Sequence, residues 1–194
     1  MNAMGVDRFV ITLRHAKLGK QEERRWDKEC AMRGMAWLKR MNARGYDVLI
    51  RPDGDHGLVL LKGLSKLNLE TLKKIGFGPA AVVDAGGGSY QAWVRLSEKP
   101  LAERLRGLAG SGLHKEIGLS VGLAAGLVEG GLAGFTNRSI RTDRDTHPYA
   151  LLLESAGKRA MAASAYLDQL QAGRLKEKKI EVNRQHPRSR GPSR

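Results

Sequence analysis

The chain has 194 residues and a mass of 21.3 kDa, enough for one domain with a sizeable core. Its 34 Lys and Arg against 20 Asp and Glu give a formal charge of +14 and a pI near 10.3, a balance that fits a polyanionic partner, or a basic protein kept soluble by its charge. A lone cysteine, Cys30, excludes an intrachain disulfide and a cysteine-based zinc site, and MNAMGVDRFVITLR has no basic lead followed by an apolar run, so a cytoplasmic protein without a secretory leader is expected.

Residues Asp7–Arg14 alternate apolar and polar, which puts Phe9, Ile11 and Leu13 on one face of a half-buried strand. The charged stretch Lys20–Lys28 leads into a helical segment ending near Arg44. There Trp37, Leu38 and Met41 share a face, Gly34 is a midway break and Gly45 the stop. Tyr46–Arg51 and His56–Lys62 read as two strands of a hairpin around Pro-Asp-Gly-Asp. Asn68 is the expected cap of a short helix that turns Leu69, Leu72 and Ile75 to the core and stops at Gly76. A second hairpin, Ala80–Asp84 with Ser89–Leu96, turns through Gly86–Gly88. After Pro100 a helix runs to about Leu108, Tyr149–Glu154 is a further strand, and Gly157–Gln171 is an alanine-rich helix.

Two stretches depart from this pattern. Ile117–Phe135 carries one charge, Glu129, and Gly118, Gly122, Gly126, Gly130 and Gly134 recur every four residues, a spacing that lets helices approach closely. It is long enough for a membrane span, but its glycines and Glu129 make insertion costly, so no membrane partner is expected. Residues 172–194 hold eight Lys or Arg against two Glu, which suits a solvated tail and equally an arm that grips phosphates. The elements together imply an α+β fold, a small antiparallel sheet built from hairpins with flanking helices. The expected division is a domain over 1–156, a C-terminal helix over 157–180 and a basic disordered tail over 181–194.

Four blocks, in order and well spaced, carry a family resemblance. They are WLKRMNARGYDVLIRP at Trp37–Pro52, HGLVLL at His56–Leu61, PAAVVDAGGGSYQAWVRL at Pro79–Leu96 and GGLAGFTNR at Gly130–Arg138. Over roughly Val6 to Lys158 the chain resembles the RepB-type primases of mobilisable plasmids. The resemblance implies an archaeo-eukaryotic-type primase core that makes short primers on single-stranded DNA at plasmid origins. It also implies nucleotides as substrates, Mg2+ or Mn2+ as cofactor if the enzyme is active, and other plasmid replication or mobilisation proteins as partners. Such chemistry joins nucleotides by in-line phosphoryl transfer, with several carboxylates aimed at two metal ions. The resemblance implies an acidic pair after the HGLVL strand and a third acid near Ala125. Here the pair is replaced by Lys62 and Gly63 and the third position lies in GLSVGLAAGLVEGG, so no metal ligands are assigned.

Among the residues that remain, His56 and Asp84 are the catalytic candidates. His56 matches a family histidine facing triphosphate or template, and equally suits a histidine satisfied within its turn. Asp84 stands where the family tends to carry an acid, and equally suits a turn former before three glycines. Arg51, Arg95, Arg138 and Arg141, at strand or loop ends, are candidate phosphate contacts together with Asn137. Alternation puts Tyr90 and Trp93 on opposite faces of one strand, with Tyr90 the candidate for stacking on a base and Trp93 assigned to the core. No Walker loop, nucleophile–histidine pair or dinucleotide fingerprint is present. The function expected is that of a RepB-like primase domain of a plasmid or mobile element that binds single-stranded DNA, with primer synthesis weak or lost. The alternative is a catalytically inactive DNA-binding module or a regulator of an active primase.

Overall fold

The antiparallel strands divide between two four-stranded sheets, with helices packed around them, so the α+β expectation holds. The computed structural model describes residues 1–119 and 129–173. Residues 120–128 of the glycine-rich stretch and the whole expected tail over 181–194 lie outside the described residues. The first sheet runs β2-β1-β3-β7, from β1 (Arg8–His15), β2 (Gln21–Asp27), β3 (Tyr46–Pro52) and the two-residue β7 (Gly130–Gly131). The second runs β4-β6-β5-β8, from β4 (Leu58–Leu64), β5 (Ala81–Asp84), β6 (Tyr90–Arg95) and β8 (Leu151–Glu154).

The charged stretch expected to lead into a helix is instead β2. It pairs with β1 along its whole length, from Arg8 opposite Asp27 to Arg14 opposite Gln21, and as an edge strand it can carry charge on nearly every residue. Asp27 then starts α1 (Lys28–Arg33) by accepting a hydrogen bond from the Cys30 amide at 2.7 Å. Gly34 separates α1 from α2 (Met35–Ala43), and a β-carbon there would stand 2.6 Å from the Trp26 ring. β1 is buried from Phe9 to Leu13 on both faces, not half-buried, because it is flanked by strands and covered on each side.

The hairpin expected between Tyr46–Arg51 and His56–Lys62 does not form. β3 pairs with β1 and β7, whereas β4 pairs with β6 in the other sheet. Gly57 explains the crossover: its carbonyl accepts from the amides of Leu96 and Ser97 at 2.8 and 3.2 Å, so the chain leaving the turn is captured at the end of β6. The second expected hairpin is present, with Ala81 opposite Trp93 and Asp84 opposite Tyr90. The helix placed at Asn68 begins earlier, as α3 (Lys66–Lys74). Ser65 is its cap, and Asn68 closes a capping box by accepting from the Ser65 amide at 2.8 Å. Leu69 and Leu72 are buried, but Ile75 lies beyond the last helical residue and is 37% exposed. The helix after Pro100 is longer than expected, as α4 (Glu103–Glu116), and α5 spans 163–173.

The second sheet is the middle layer. Leu58, Leu60 and Trp93 on one face pack with Phe9, Ile11, Leu13, Val48 and Ile50 of the first sheet. Val59, Leu61, Ala92 and Val94 on the other face pack with Leu69, Leu72, Leu113 and Ala163 of the helices. This period-two division is what fixes the register of β4 and β6, since a one-residue slip would exchange the two cores. Tyr166 docks α5 on α4 through its hydroxyl, which donates to the Ala109 carbonyl at 3.0 Å. Burial, with Glu116 nearby, pushes that phenol up to about 12. Among the described residues no helix is long and apolar enough to cross a membrane.

Candidate functional site

A cleft of about 290 Å³ lies where β3 of the first sheet faces the ends of β4 and β6 of the second. Its far wall is the loop that follows β7. Gly131 donates its amide to the Gln91 Oε1 at 2.7 Å, which ties β7 across to the second sheet. Gly130 suits this close approach: a β-carbon there would meet Gln91 Oε1 at 3.0 Å and the Leu60 and Trp93 side chains at 3.3 Å, so those side chains would have to give way.

The loop beyond β7 is held by two buried polar residues of α2 and β3. Asn42 donates to the carbonyls of Tyr46 and Thr136 at 2.8 and 2.7 Å and accepts from the Thr136 amide at 2.9 Å. Asp47 accepts from the Arg138 amide at 2.6 Å and from the Ser139 hydroxyl, so both its oxygens are occupied. Asn137 in turn donates to the Ala85 carbonyl at 2.9 Å, joining the loop to the turn between β5 and β6. The blocks WLKRMNARGYD and GFTNR, far apart in sequence, are therefore wired directly to each other.

The electrostatics of the cleft end are unusual. Glu129 is 7% exposed and sits among cations. It accepts from the Thr12 hydroxyl and from Arg14 at 3.0 Å, and lies 3.7 Å from the Arg51 Nε, which has no hydrogen-bond partner of its own. Lys62, at the end of β4, borders the same cleft. Burial and then the Arg14 charge push its ammonium below the usual lysine range, with Glu129 opposing them, and no ion pair links it to a carboxylate among the described residues. At the next residue the β4–β6 register shifts, and Gly63 takes a φ of 70°.

The sequence-derived candidates fall into separate places. Asn137, Arg138 and Tyr90 stand at the cleft end, with Asn137 in its wall and Arg138 pinned by its Nε to the Asn42 carbonyl at 2.8 Å. Tyr90 is half-buried against the helix-side core, while Trp93 is 3% exposed in the core between the sheets. Arg51 belongs to the Glu129 cluster and also faces Glu23 at 3.5 Å. Asp84 accepts from the Gly86 amide at 2.8 Å, the bond of a turn former. Arg141 pairs with Asp145 in an exposed turn.

His56 and Arg95 lie at the opposite end of the β4–β6 pair. Arg95 is opposite Leu58, and His56 bridges to Leu101. Lys62 follows His56 by six residues of extended chain, about 20 Å at the usual rise. The His56 Nδ1 accepts from the Leu58 amide at 3.2 Å, and burial, then the Arg106 charge, lower its ring to about 4. Sequence reasoning passed over Arg14, Asn42, Asp47 and Gln91. Asn42, Asp47 and Gln91 were inside the quoted blocks, where a polar residue between apolar neighbours is the available signal.

The residues do not fit a divalent cation at this position. No group of three or more His, Cys, Asp or Glu among the described residues can hold one, and 120–128 (SVGLAAGLV) contributes none of these types. Arg14, Arg51 and Lys62 surround Glu129, the Asp47 carboxylate on the lining is taken up by Arg138 and Ser139, and cations repel a cation.

Comparisons with known proteins agree with this architecture. No protein-family model matches the chain. It is 40% identical to the crystal structure of the catalytic domain of primase RepB' in complex with initiator DNA, covering 93% of each chain with a TM-score of 0.81. A second structure of primase RepB' is 38% identical with a TM-score of 0.82, over 96% of this chain and 66% of that one. Mobilization protein A of Escherichia coli is 40% identical over 187 residues, 92% of this chain, which spans only 26% of that relative's length. The primase-polymerase of cyanophage S-2L, at 12% identity and a TM-score of 0.61, shares the fold over 86% of this chain and 92% of its own archaeo-eukaryotic-type domain.

Proposed function

We propose that this chain, which belongs to the RepB'-type primase family, is a replication domain of a plasmid or mobile element that binds single-stranded DNA and in which primer synthesis is weak or lost. The observation that carries the reading is Lys62. It borders the cleft at the position where the resemblance implies an acid, with Arg14 beside it, so the place that would gather metal ligands gathers positive charge. In-line nucleotide joining needs carboxylates converging on divalent ions, and an ammonium cannot take that part.

Binding of DNA asks for none of those acids. The overall charge of +14 favours phosphates through counterion release, and a relative of 40% identity was captured with initiator DNA. Asn137 in the cleft wall, Arg138 and Tyr90 beside it and Arg141 on its exposed turn are the contacts we assign to the strand, each exchanging part of its contact to Ala85, Asn42, the helix-side core or Asp145 for the DNA. A primer-extension assay on single-stranded template, with magnesium and separately with manganese, is expected to give no product above a protein-free control. Filter retention of the same template is expected to be tight at low salt and to fall steeply as salt rises. Synthesis of primers at the rate of an active family member would overturn the loss of activity, and salt-insensitive or absent retention would overturn the DNA-binding reading.

A further inference from the structure

Among the hydrogen-bond donors that border the cleft, the Lys62 ammonium, the Gln91 side-chain amide and the Ser89 hydroxyl have no acceptor in the protein among the described residues. Gln91 is buried, at 7% exposure, and its carbonyl oxygen is already committed to Gly131, which turns the amide nitrogen into the free end. The acid on the lining, Asp47, has both oxygens occupied by the Arg138 amide and the Ser139 hydroxyl. Arg14, the other cation on the lining, is committed to Glu129 at 3.0 Å. Lys62 is thus left half-withdrawn from water, with Glu129 acting on it only at a distance and no ion pair to a carboxylate among the described residues. A desolvated ammonium is costly unless an anion supplies the missing charge.

We infer that the cleft is a phosphate site that works without a divalent cation, with Lys62 binding by charge and Gln91 and Ser89 by hydrogen bonds. The positive charge that a metal ion would bring to a phosphate is supplied here by a side chain. The inference rests on the proposed DNA-binding reading only for the ligand's being a phosphate of a nucleotide or of a DNA strand. No bond is made or broken; the site holds.

The test is isothermal calorimetry of the full chain with inorganic tripolyphosphate in the presence of EDTA. Binding is expected, and added magnesium should not strengthen it. Lys62→Met should weaken binding at least about tenfold, the scale of a lost charge-assisted hydrogen bond, whereas Lys62→Arg should hold it within a few fold. Ser89→Ala, a half-buried position at the cleft edge, serves if Lys62→Met fails to fold, and should weaken binding by about threefold. Competition then identifies the source: displacement by dATP assigns the site to a nucleotide's triphosphate, and displacement by an oligothymidylate alone assigns it to the strand backbone. No binding in EDTA, binding that requires magnesium, or binding untouched by these variants overturns the inference. Template retention that fails while Lys62-dependent tripolyphosphate binding persists would instead remove the DNA-binding reading and leave the phosphate site standing.

Discussion

The two ends of the β4–β6 pair are built from the same strands yet use their cations in opposite ways. At the closed end, Arg95 donates to the Ala3 carbonyl at 3.1 Å and pairs with Glu98 at 3.1 Å. Arg106 there donates to the carbonyl oxygens of Leu101 and His56 and faces Asp55 at 3.5 Å. Both of these arginines serve the fold. At the cleft end Lys62 and the Gln91 amide serve no other part of the described protein. The lesson is that a basic residue near a strand end is a ligand candidate only after its structural partners have been counted, and net charge alone does not tell the two kinds apart.

The strongest way to break the comparison is to remove the polar staple that holds the cleft wall. Asn42→Leu would leave the amide and carbonyl of Thr136 and the carbonyl of Tyr46 without their partner while burying an apolar chain among them. A loss of about 3 kcal/mol is expected, from several buried polar groups stripped at once. Urea denaturation measures it, and an unchanged midpoint would mean that the loop is held by something other than Asn42.

Glu129→Gln probes the cation cluster itself. The carboxylate is the one negative group shared by Arg14 and Arg51, and it also opposes the downward push on Lys62. Its removal takes the ion-pair partner from Arg14 and leaves the buried Arg51 with Glu23 alone, with an expected cost of about 2 kcal/mol. The double variant with Lys62→Met should cost less than the sum of the singles, because the two charges act on each other. Additive costs in the same urea titrations would show that Lys62 and Glu129 do not share a field.

Parts of this were readable from the residues. The alternation of Phe9, Ile11 and Leu13 marks a strand, and the three glycines after Asp84 mark the hairpin that joins β5 to β6. The division into two sheets was not readable, because Pro-Asp-Gly-Asp serves a crossover as well as a hairpin and only the capture of Gly57 by β6 decides between them. β2 escaped notice because its stability comes from pairing with β1, and an edge strand of charged residues has no apolar pattern of its own. In the cleft, the exchange of acid for Lys62 and Gly63 was visible from the resemblance. That Glu129 would come to rest against Arg14 and Arg51 was not, since those residues are joined across 115 positions or fewer only by tertiary packing.

The smallest effect belongs to the closed end and is read as a pH dependence. Burial and the Arg106 charge lower His56 from 6.5 to about 4 in the folded protein. Between those values the unfolded chain binds the proton and the folded chain does not, so unfolding free energy rises with pH across that window. The contribution is complete above 6.5 and is lost as the pH falls through 4. His56→Asn keeps a side-chain acceptor for the Leu58 amide but has no proton to gain, so it should flatten this slope. The expected change is roughly 1 kcal/mol, once the partial exposure of the ring is allowed for. Thermal melts of both proteins from pH 4 to pH 7 read it directly. A slope that survives the substitution would assign the titration to another group, and tripolyphosphate affinity that followed the same slope would couple the two ends and erase the contrast between them.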